Sequence, residues 1–408
     1  MKETFSIAAV ADLLSVTKET VRRWDRAGKL VARRDEKSNY RYYEKNDLRH
    51  FEQLSFMFKN TETIVEKPTR VYKAVELFAG AGGMAIGWEE AGLKSVLLND
   101  FDKYCCATLR KNRPDWNVIQ GDVAELDYSP FKGSAIDVVS GGFPCQAFSY
   151  AGKKLGFEDT RGTLFYEFAR AVKETNPKIF VAENVRGLLK HHNGNTIQTM
   201  VNVMRSLGYN VLEPKLLKAI YYKVPQKRER LIIVGIRKDL PVDVFEFPSP
   251  FPKTYTVRDA LKASELYDCD VPVSDGQKYP KRKAQIMKMV PPGGYWRDLP
   301  KPIQQEYMKQ SYYLGGGKTG MARRMSWDEP SLTLTCAPAQ KQTERCHPEE
   351  TRPFTVREYA RLQTFPDNWV FSGSQTQQYK QIGNAVPVNL AKAIGQEIVR
   401  FLNKIEAS

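Results

Sequence analysis

One of the six cysteines stands where a nucleophile would act. Cys145 lies in Ser140-Gly141-Gly142-Phe143-Pro144-Cys145-Gln146, directly after the apolar run Ile136–Val139. That order predicts a cysteine at the carboxyl end of a strand, in a loop stiffened by Pro144. Ligands of open α/β sheets bind at that edge, and a cysteine placed there suits nucleophilic catalysis. Cys105 and Cys106 fall in a helical stretch and read as packing residues. Glu183-Asn184-Val185 follows a second apolar run, Ile179–Val181, so a carboxylate is expected at the same edge. Gln226-Lys227-Arg228-Glu229-Arg230 leads into a third run, Leu231–Ile236, with arginines two apart that face one way if extended. Thiol, carboxylate and guanidinium are thus expected to converge on one rim.

A second group of residues suits a cofactor. Glu76-Leu77-Phe78-Ala79-Gly80-Ala81-Gly82-Gly83 runs from an apolar stretch into a helix expected over Met84 to Ala91. A glycine-rich turn between strand and helix lets backbone approach a ligand and presents helix N–H groups to it. The glycines depart from the dinucleotide spacing GxGxxG, and no Lys-Ser/Thr follows as a phosphate loop requires. A carboxylate at the end of the next strand, Asp100, comes about 20 residues on, where it could bind ribose hydroxyls. Asp122 is next in the same series.

These side chains need a scaffold. The apolar runs Tyr72–Phe78, Ser95–Leu98, Ile136–Val139, Ile179–Val181 and Leu231–Ile236 alternate with helical stretches, which predicts buried parallel strands of an α/β sheet. The alternation fails between about 245 and 350, where Pro, Gly, Lys and Tyr dominate and a less regular domain is expected. Val388–Phe401 reads as an amphipathic helix. Residues 1–58 form a unit of their own before a polar linker at 59–70. Ile7, Val10, Ala11 and Leu14 recur at helical spacing, Ser15-Val16-Thr17 turns, and a second helix over Lys18 to Ala27 exposes Arg22, Arg23 and Arg26. Asn39-Tyr40-Arg41-Tyr42-Tyr43 would then form a hairpin wing.

The chain has 408 residues, and 62 Lys plus Arg against 47 Asp plus Glu give a net charge of +15. Residues 277–326 carry eleven Lys or Arg against Asp298 and Glu306, and residues 215–238 carry eight against Glu229. Such localised charge is the footprint of a nucleic-acid channel. No apolar stretch is long enough for a membrane helix and no secretory leader is evident, so a cytoplasmic protein with reduced thiols is expected. No set of Cys and His at paired spacing calls for a metal.

Phe78-Ala79-Gly80-Ala81-Gly82-Gly83, Pro144-Cys145-Gln146, Glu183-Asn184-Val185, Gln226-Lys227-Arg228-Glu229-Arg230 and Gly383-Asn384-Ala385-Val386-Pro387, in that order, resemble the motif series of bacterial DNA (cytosine-5) methyltransferases of restriction-modification systems. The stretch from Arg352 to Pro366 is similar to the family's ninth motif, and residues 1–58 resemble the helix-turn-helix of MerR and excisionase proteins. The resemblance implies a Rossmann-like, S-adenosylmethionine-dependent α/β sheet over 71–240 and 376–408, with an irregular target-recognition domain over 241–375. It implies Cys145 as nucleophile at cytosine carbon 6. Glu183 would sit at ring nitrogen 3, its proton retained by a raised pKa, and Arg230 at the base carbonyl with Arg228 beside it.

For the cofactor, S-adenosyl-L-methionine, the resemblance assigns Phe78, Gly80, Gly82 and Gly83 to the methionine end, Asp100 to the ribose and Asp122 to the adenine. Asn384 and Val386 would fold onto the same pocket. The family often has Glu where Asp100 stands. The implied substrate is duplex DNA with the target cytosine flipped out, contacted by Gln146, Arg323 and Arg324, and the glycine-rich segment 315–320 is expected at the groove. RNA is the alternative at the level of the enzyme; the helix-turn-helix and the long recognition region favour DNA. A cognate restriction endonuclease is the functional partner implied, with a monomer for methylation and dimerisation, if any, through residues 1–58. Arg22, Arg23 and Arg26 would serve a second DNA site, an operator of the protein's own operon.

Overall fold

The computed structural model describes residues 4–14, 16–35, 39–51, 54, 58, 65–131, 135–144, 163–242, 244–251 and 253–408. The chain divides into two units, 1–64 with 249–253 and 65–248 with 254–408.

In the first unit, β1 (Thr4–Ser6), α1 (Ile7–Leu13), α2 (Lys18–Arg26), β2 (Arg33–Arg34) and β3 (Arg41–Glu44) follow in order, and the strands pair antiparallel as β1-β3-β2. Thr17 caps α2, its Oγ1 accepting from the Thr20 N–H at 3.0 Å. Val21 turns inward to a core with Val10, Leu14, Leu30 and Tyr43, which leaves Arg22, Arg23 and Arg26 on the solvent face. The β2 and β3 pair is the wing expected around Tyr40 to Tyr43.

The second unit begins with β4 (Tyr72–Leu77), α3 (Gly83–Ala91), β5 (Leu93–Asp100), α4 (Lys103–Asn112), β6 (Val118–Gln120), β7 (Val138–Gly141), α5 (Leu164–Thr175) and β8 (Ile179–Val185). It continues through α6 (Asn195–Ser206), β9 (Tyr209–Val211), β10 (Lys215–Lys218), β11 (Gln226–Lys227) and β12 (Glu229–Arg237). The irregular region holds α7 (Val257–Leu261), α8 (Lys281–Lys288), α9 (Lys301–Met308) and β13 (Ser331–Leu332), and α10 (Val356–Leu362), α11 (Gln375–Asn384) and α12 (Val388–Glu406) close the chain. The sheet order is β10-β12-β8-β7-β4-β5-β6, with β9 also on β12. From β6 to β8 all pairs are parallel, whereas β12 runs antiparallel to β8, which corrects the expectation of a parallel strand over Leu231–Ile236. The chain leaves β4 toward β5 on one side and returns to β7 on the other, so the strand order reverses beside β4, where open sheets bind ligands.

Val138, Val139, Ile179, Phe180 and Val181 are fully buried, as expected of parallel strands covered on both faces. Helices α3 and α12 approach through glycine: a Cβ on Gly87 would lie 2.5 Å from the Val388 carbonyl oxygen, and one on Gly395 2.8 Å from the Ala91 Cβ. Among the described residues no helix is long and apolar enough to cross a membrane.

The segment 241–375 does not share one core. Val257, Leu261, Phe354, Tyr359, Phe365 and Trp369 pack with Ala85, Leu98 and Leu109 of the sheet unit, whereas Ile286, Met287, Trp296, Leu299, Met308 and Cys346 form a separate cluster. The expected boundaries at 241 and 375 therefore cut across a common core. The independently packed part is the stretch from about 286 to 346.

Candidate functional site

Glu183 is the fifth residue of β8 and faces the rim through register. It pairs across the antiparallel ladder with Ile232, which makes Arg230 its diagonal neighbour on the same face. The Arg230 guanidinium lies 2.5 Å from the Glu183 carboxylate, and both side chains are about nine-tenths buried, at 10% and 11% exposure. Gly142 leaves room for that carboxylate, because a Cβ there would meet Oε2 at 3.0 Å. The next residue, buried Asn184, donates from Nδ2 to the Phe143 carbonyl at 3.0 Å. This bond ties the loop after β7 to β8 two residues ahead of position 145. Cys145 and Gln146 themselves lie outside the described residues.

Arg228 neighbours Arg230 and Glu183, as its spacing predicts, but its guanidinium ends on backbone carbonyls. It precedes β12 and is 2% exposed, and its guanidinium donates to the carbonyls of Leu334 at 3.2 Å and Gly383 at 2.9 Å. Burial, and secondly the neighbouring Arg230, disfavour its charge. Arg228 is a strut joining the catalytic sheet to the strand-poor region and to α11. Gln226 reinforces it: Nε2 donates to Gln363 Oε1 at 2.9 Å, and Gln363 in turn donates to the Ile382 carbonyl at 2.8 Å. Sequence reasoning missed this relay, since two glutamines far apart in the chain carry no local signal.

The glycine turn sits at the carboxyl end of β4. Phe78 adopts φ +57°, a conformation that side chains rarely accept and that concentrates at ligand sites. Its ring meets Phe143 edge-on at 6.4 Å, linking this turn to the loop before position 145. Gly82, at φ +88°, caps α3, and Trp369 braces the turn by donating from Nε1 to the Ala81 carbonyl at 3.1 Å. Gly83 admits no side chain, because a Cβ would stand 2.2 Å from the Val386 carbonyl oxygen.

Asp100 holds the turn from the next strand, its carboxylate accepting from the N–H groups of Gly80 and Asp102 at 2.8 Å each. Each oxygen keeps a second lone pair for a hydroxyl donor. Burial pushes the Asp100 carboxyl up, and burial together with Asp100 pushes Glu76, at the end of β4, up to about 8. Glu76 Oε2 is fully buried without a hydrogen-bond partner. Asp122 is exposed and caps a short turn through the Ala124 N–H. Between Asp100 and Asp102, Phe101 stands 78% exposed, and the sequence had not singled it out. An exposed aromatic directly after a strand was the available signal. Asn384 is exposed at the end of α11 and accepts from Cys336 Sγ at 3.1 Å, while Val386 is buried.

The recognition-region arginines separate. Arg324 is 3% exposed, and its guanidinium donates to the carbonyls of Val290, Met287, His347, Glu349 and Glu350. It is a structural cross-link, which corrects the expectation that it contacts DNA. Arg323 is half-buried beside Tyr295, and burial lowers its pKa.

The family model of C-5 cytosine-specific DNA methylase matches residues 72–400, and that of MerR family regulatory protein matches residues 6–43. The chain is 66% identical to the type II methyltransferase M.Eco47II of Escherichia coli, over 99% of this chain and 97% of that protein. It is 62% identical to M.PspPI of Psychrobacter sp. (strain TA137), over 98% and 96%. A candidate DNA modification methyltransferase encoded in an E. coli prophage has a solved structure similar to this one, with a TM-score of 0.59, 26% identity, and coverage of 81% of this chain and 99% of that one.

Proposed function

The chain belongs to the C-5 cytosine-specific DNA methylases, and from that premise we propose that it is the modification enzyme of a type II restriction-modification pair, acting in the cytoplasm on one cytosine of a specific duplex site. The observation that carries this reading is the buried pair of Glu183 and Arg230, beside a loop that Asn184 holds immediately before Cys145.

Cytosine is too electron-rich at carbon 5 to take a methyl group directly. The Cys145 thiolate adds at carbon 6 while Glu183 holds a proton at ring nitrogen 3 and Arg230 holds the base carbonyl, and the ring becomes an enamine nucleophilic at carbon 5. After transfer, a base removes the carbon 5 proton and the carbon–sulfur bond breaks. S-adenosyl-L-methionine, the donor we assign, supplies an electrophilic methyl on a sulfonium. The residues fit such a group: a glycine turn at the point where strand order reverses, and an orphaned Glu76 oxygen on the strand that leads into it. Phe78, Gly80, Gly82 and Gly83 would hold its methionine end, Asp100 the ribose, Asp122 the adenine, with Asn384 and Val386 closing the pocket. A base inside a duplex cannot reach Cys145, so the cytosine is flipped out, with Gln146 and Arg323 at the DNA.

Transfer of radiolabelled methyl to duplex DNA tests the reading: wild type transfers and Cys145→Ala does not. Undiminished transfer by Cys145→Ala overturns it. Bisulfite sequencing of DNA from an expressing host then identifies the methylated cytosine.

The exposed arginines of α2 favour a second role, binding of an operator by residues 1–58. Footprinting on the upstream promoter tests it, and protection unchanged by deleting 1–58 would remove it.

A further inference from the structure

The recognition region carries an apolar tip in its most basic stretch. After α9 the chain turns through 309–312 and exposes Tyr313 and Leu314, at 74% and 67%, before the glycines at 315–317. The tip is backed from the core outward. Buried Trp296 meets Tyr312 edge-on at 6.0 Å, and Tyr312 meets Tyr313 edge-on at 5.2 Å. The loop is also clamped, because the Lys318 ammonium donates to the carbonyls of Ser311 and Leu314 from a left-handed backbone at φ +48°.

That clamp changes what the loop can offer. Lys318 turns inward onto the loop's own carbonyls, and the glycines add no side chains. The surface presented at the tip is an aromatic ring and a leucine rather than a cation. Around it, residues 277–326 carry a net charge of +9, which attracts a phosphate backbone. A rigid apolar pair on a basic domain suits base faces, which become accessible only where the stack is opened; apolar side chains wedged between base steps are a recurring device for opening DNA. Tyrosine is well suited, since it offers a large stacking area for little lost side-chain freedom.

We propose that Tyr313 and Leu314 are a wedge that enters the base stack of the substrate duplex and stabilises its opened form, with Lys318 as the residue that positions it. The inference rests on the DNA-methylating, base-flipping role proposed above. It assigns to the tip a contact with bases rather than with phosphates.

The test compares two duplexes carrying the methylated site, one fully paired and one with an abasic residue opposite the target cytosine, where unpairing needs no work from the protein. On the paired duplex, Tyr313→Ala combined with Leu314→Ala is expected to lower kcat/KM by roughly tenfold or more, the scale of one aromatic–base stack. On the abasic duplex the loss shrinks to about twofold. Tyr313→Phe, which keeps the ring, stays near wild type on both, and Lys318→Ala follows the double variant. An equal loss on both duplexes, or no loss on either, overturns the wedge while leaving the methyltransferase reading intact. A wild type that methylates neither duplex overturns both.

Discussion

Arg230 reaches diagonally across an antiparallel strand pair to place its guanidinium 2.5 Å from the carboxylate of Glu183. Two nearly buried polar groups this close behave as one unit, because removing either leaves the other without its partner. Glu183→Gln and Arg230→Ala are each expected to slow methyl transfer by about 10²–10⁴-fold, the usual range for a positioned acid. The double variant should lose far less than the product of the two. Single-turnover transfer measures all three, and multiplicative losses would show that the residues act separately. Each single variant should also cost about 3 kcal/mol of stability in urea titrations.

Glu76 sets a pH dependence of folding. Burial, with Asp100 adding to it, raises its carboxyl from an ordinary value to about 8. The folded chain therefore holds a proton that the unfolded chain releases, so the contribution is greatest at acid pH and is lost as pH rises toward 8. Glu76→Gln, neutral at every pH, should flatten the decline of unfolding free energy over that window by at most about 1.4 kcal/mol per pH unit. Urea titrations across the window measure it; a slope identical to wild type would mean that Glu76 is ionised in the folded protein.

Strands β4, β7, β8 and β12 were legible as apolar runs because strands buried on both faces have no polar side to disguise them. Glu183 and Arg230 were legible because strand ends follow directly from those runs. Where the guanidinium groups of Arg228 and Arg324 end was not legible, because residue type and spacing do not reveal whether a guanidinium ends in solvent or on buried carbonyls. Here both end on carbonyls that come from distant parts of the chain. The shared core of the sheet unit and the segment before 375 was not legible, because Trp369, in a segment without strands, packs against Gly82 of the glycine turn. A contact of that kind leaves no local pattern.

Gly83→Ala should strike stability and cofactor affinity together. The new methyl would stand 2.2 Å from the Val386 carbonyl oxygen and 3.3 Å from the Ala385 Cβ, and neither is the end of a flexible side chain. Relief requires α12 or the glycine turn to shift, at a cost of about 1–3 kcal/mol. Thermal unfolding should show a lowered Tm, and calorimetric titration with S-adenosylmethionine should show weaker binding. Unchanged affinity in a destabilised variant would place the cofactor away from this turn.

The two adjacent recognition-region arginines should respond differently to salt. Arg324 is internal, so Arg324→Ala should destabilise the chain and leave the salt dependence of DNA binding unaltered where the protein remains folded. If Arg323 contacts a phosphate, Arg323→Ala should reduce the slope of log K against log salt by about 0.9. If it reads a base, the slope should hold while discrimination between target and altered sites falls by roughly 1–3 kcal/mol. Filter binding over a salt series on target and altered duplexes decides between these two outcomes, and no change in either measure would remove Arg323 from the interface.

The N-terminal unit offers three exposed arginines, two of them held only in weak pairs. Glu19 pairs with Arg22 at 3.1 Å and Arg26 at 2.6 Å, but all these side chains are exposed, and such pairs yield readily to a phosphate or a guanine edge. Arg23 projects from the same helix, while Val21 anchors it to the core. Replacing Arg22, Arg23 and Arg26 by Ala together should therefore leave the unit folded, abolish footprint protection on the upstream promoter, and leave methylation of the target duplex within about twofold, since the helix carries no catalytic group. Loss of methylation in parallel with protection would instead make residues 1–58 an accessory to substrate binding, with the salt slope on the target duplex reduced by up to about 0.9 for each phosphate contact removed.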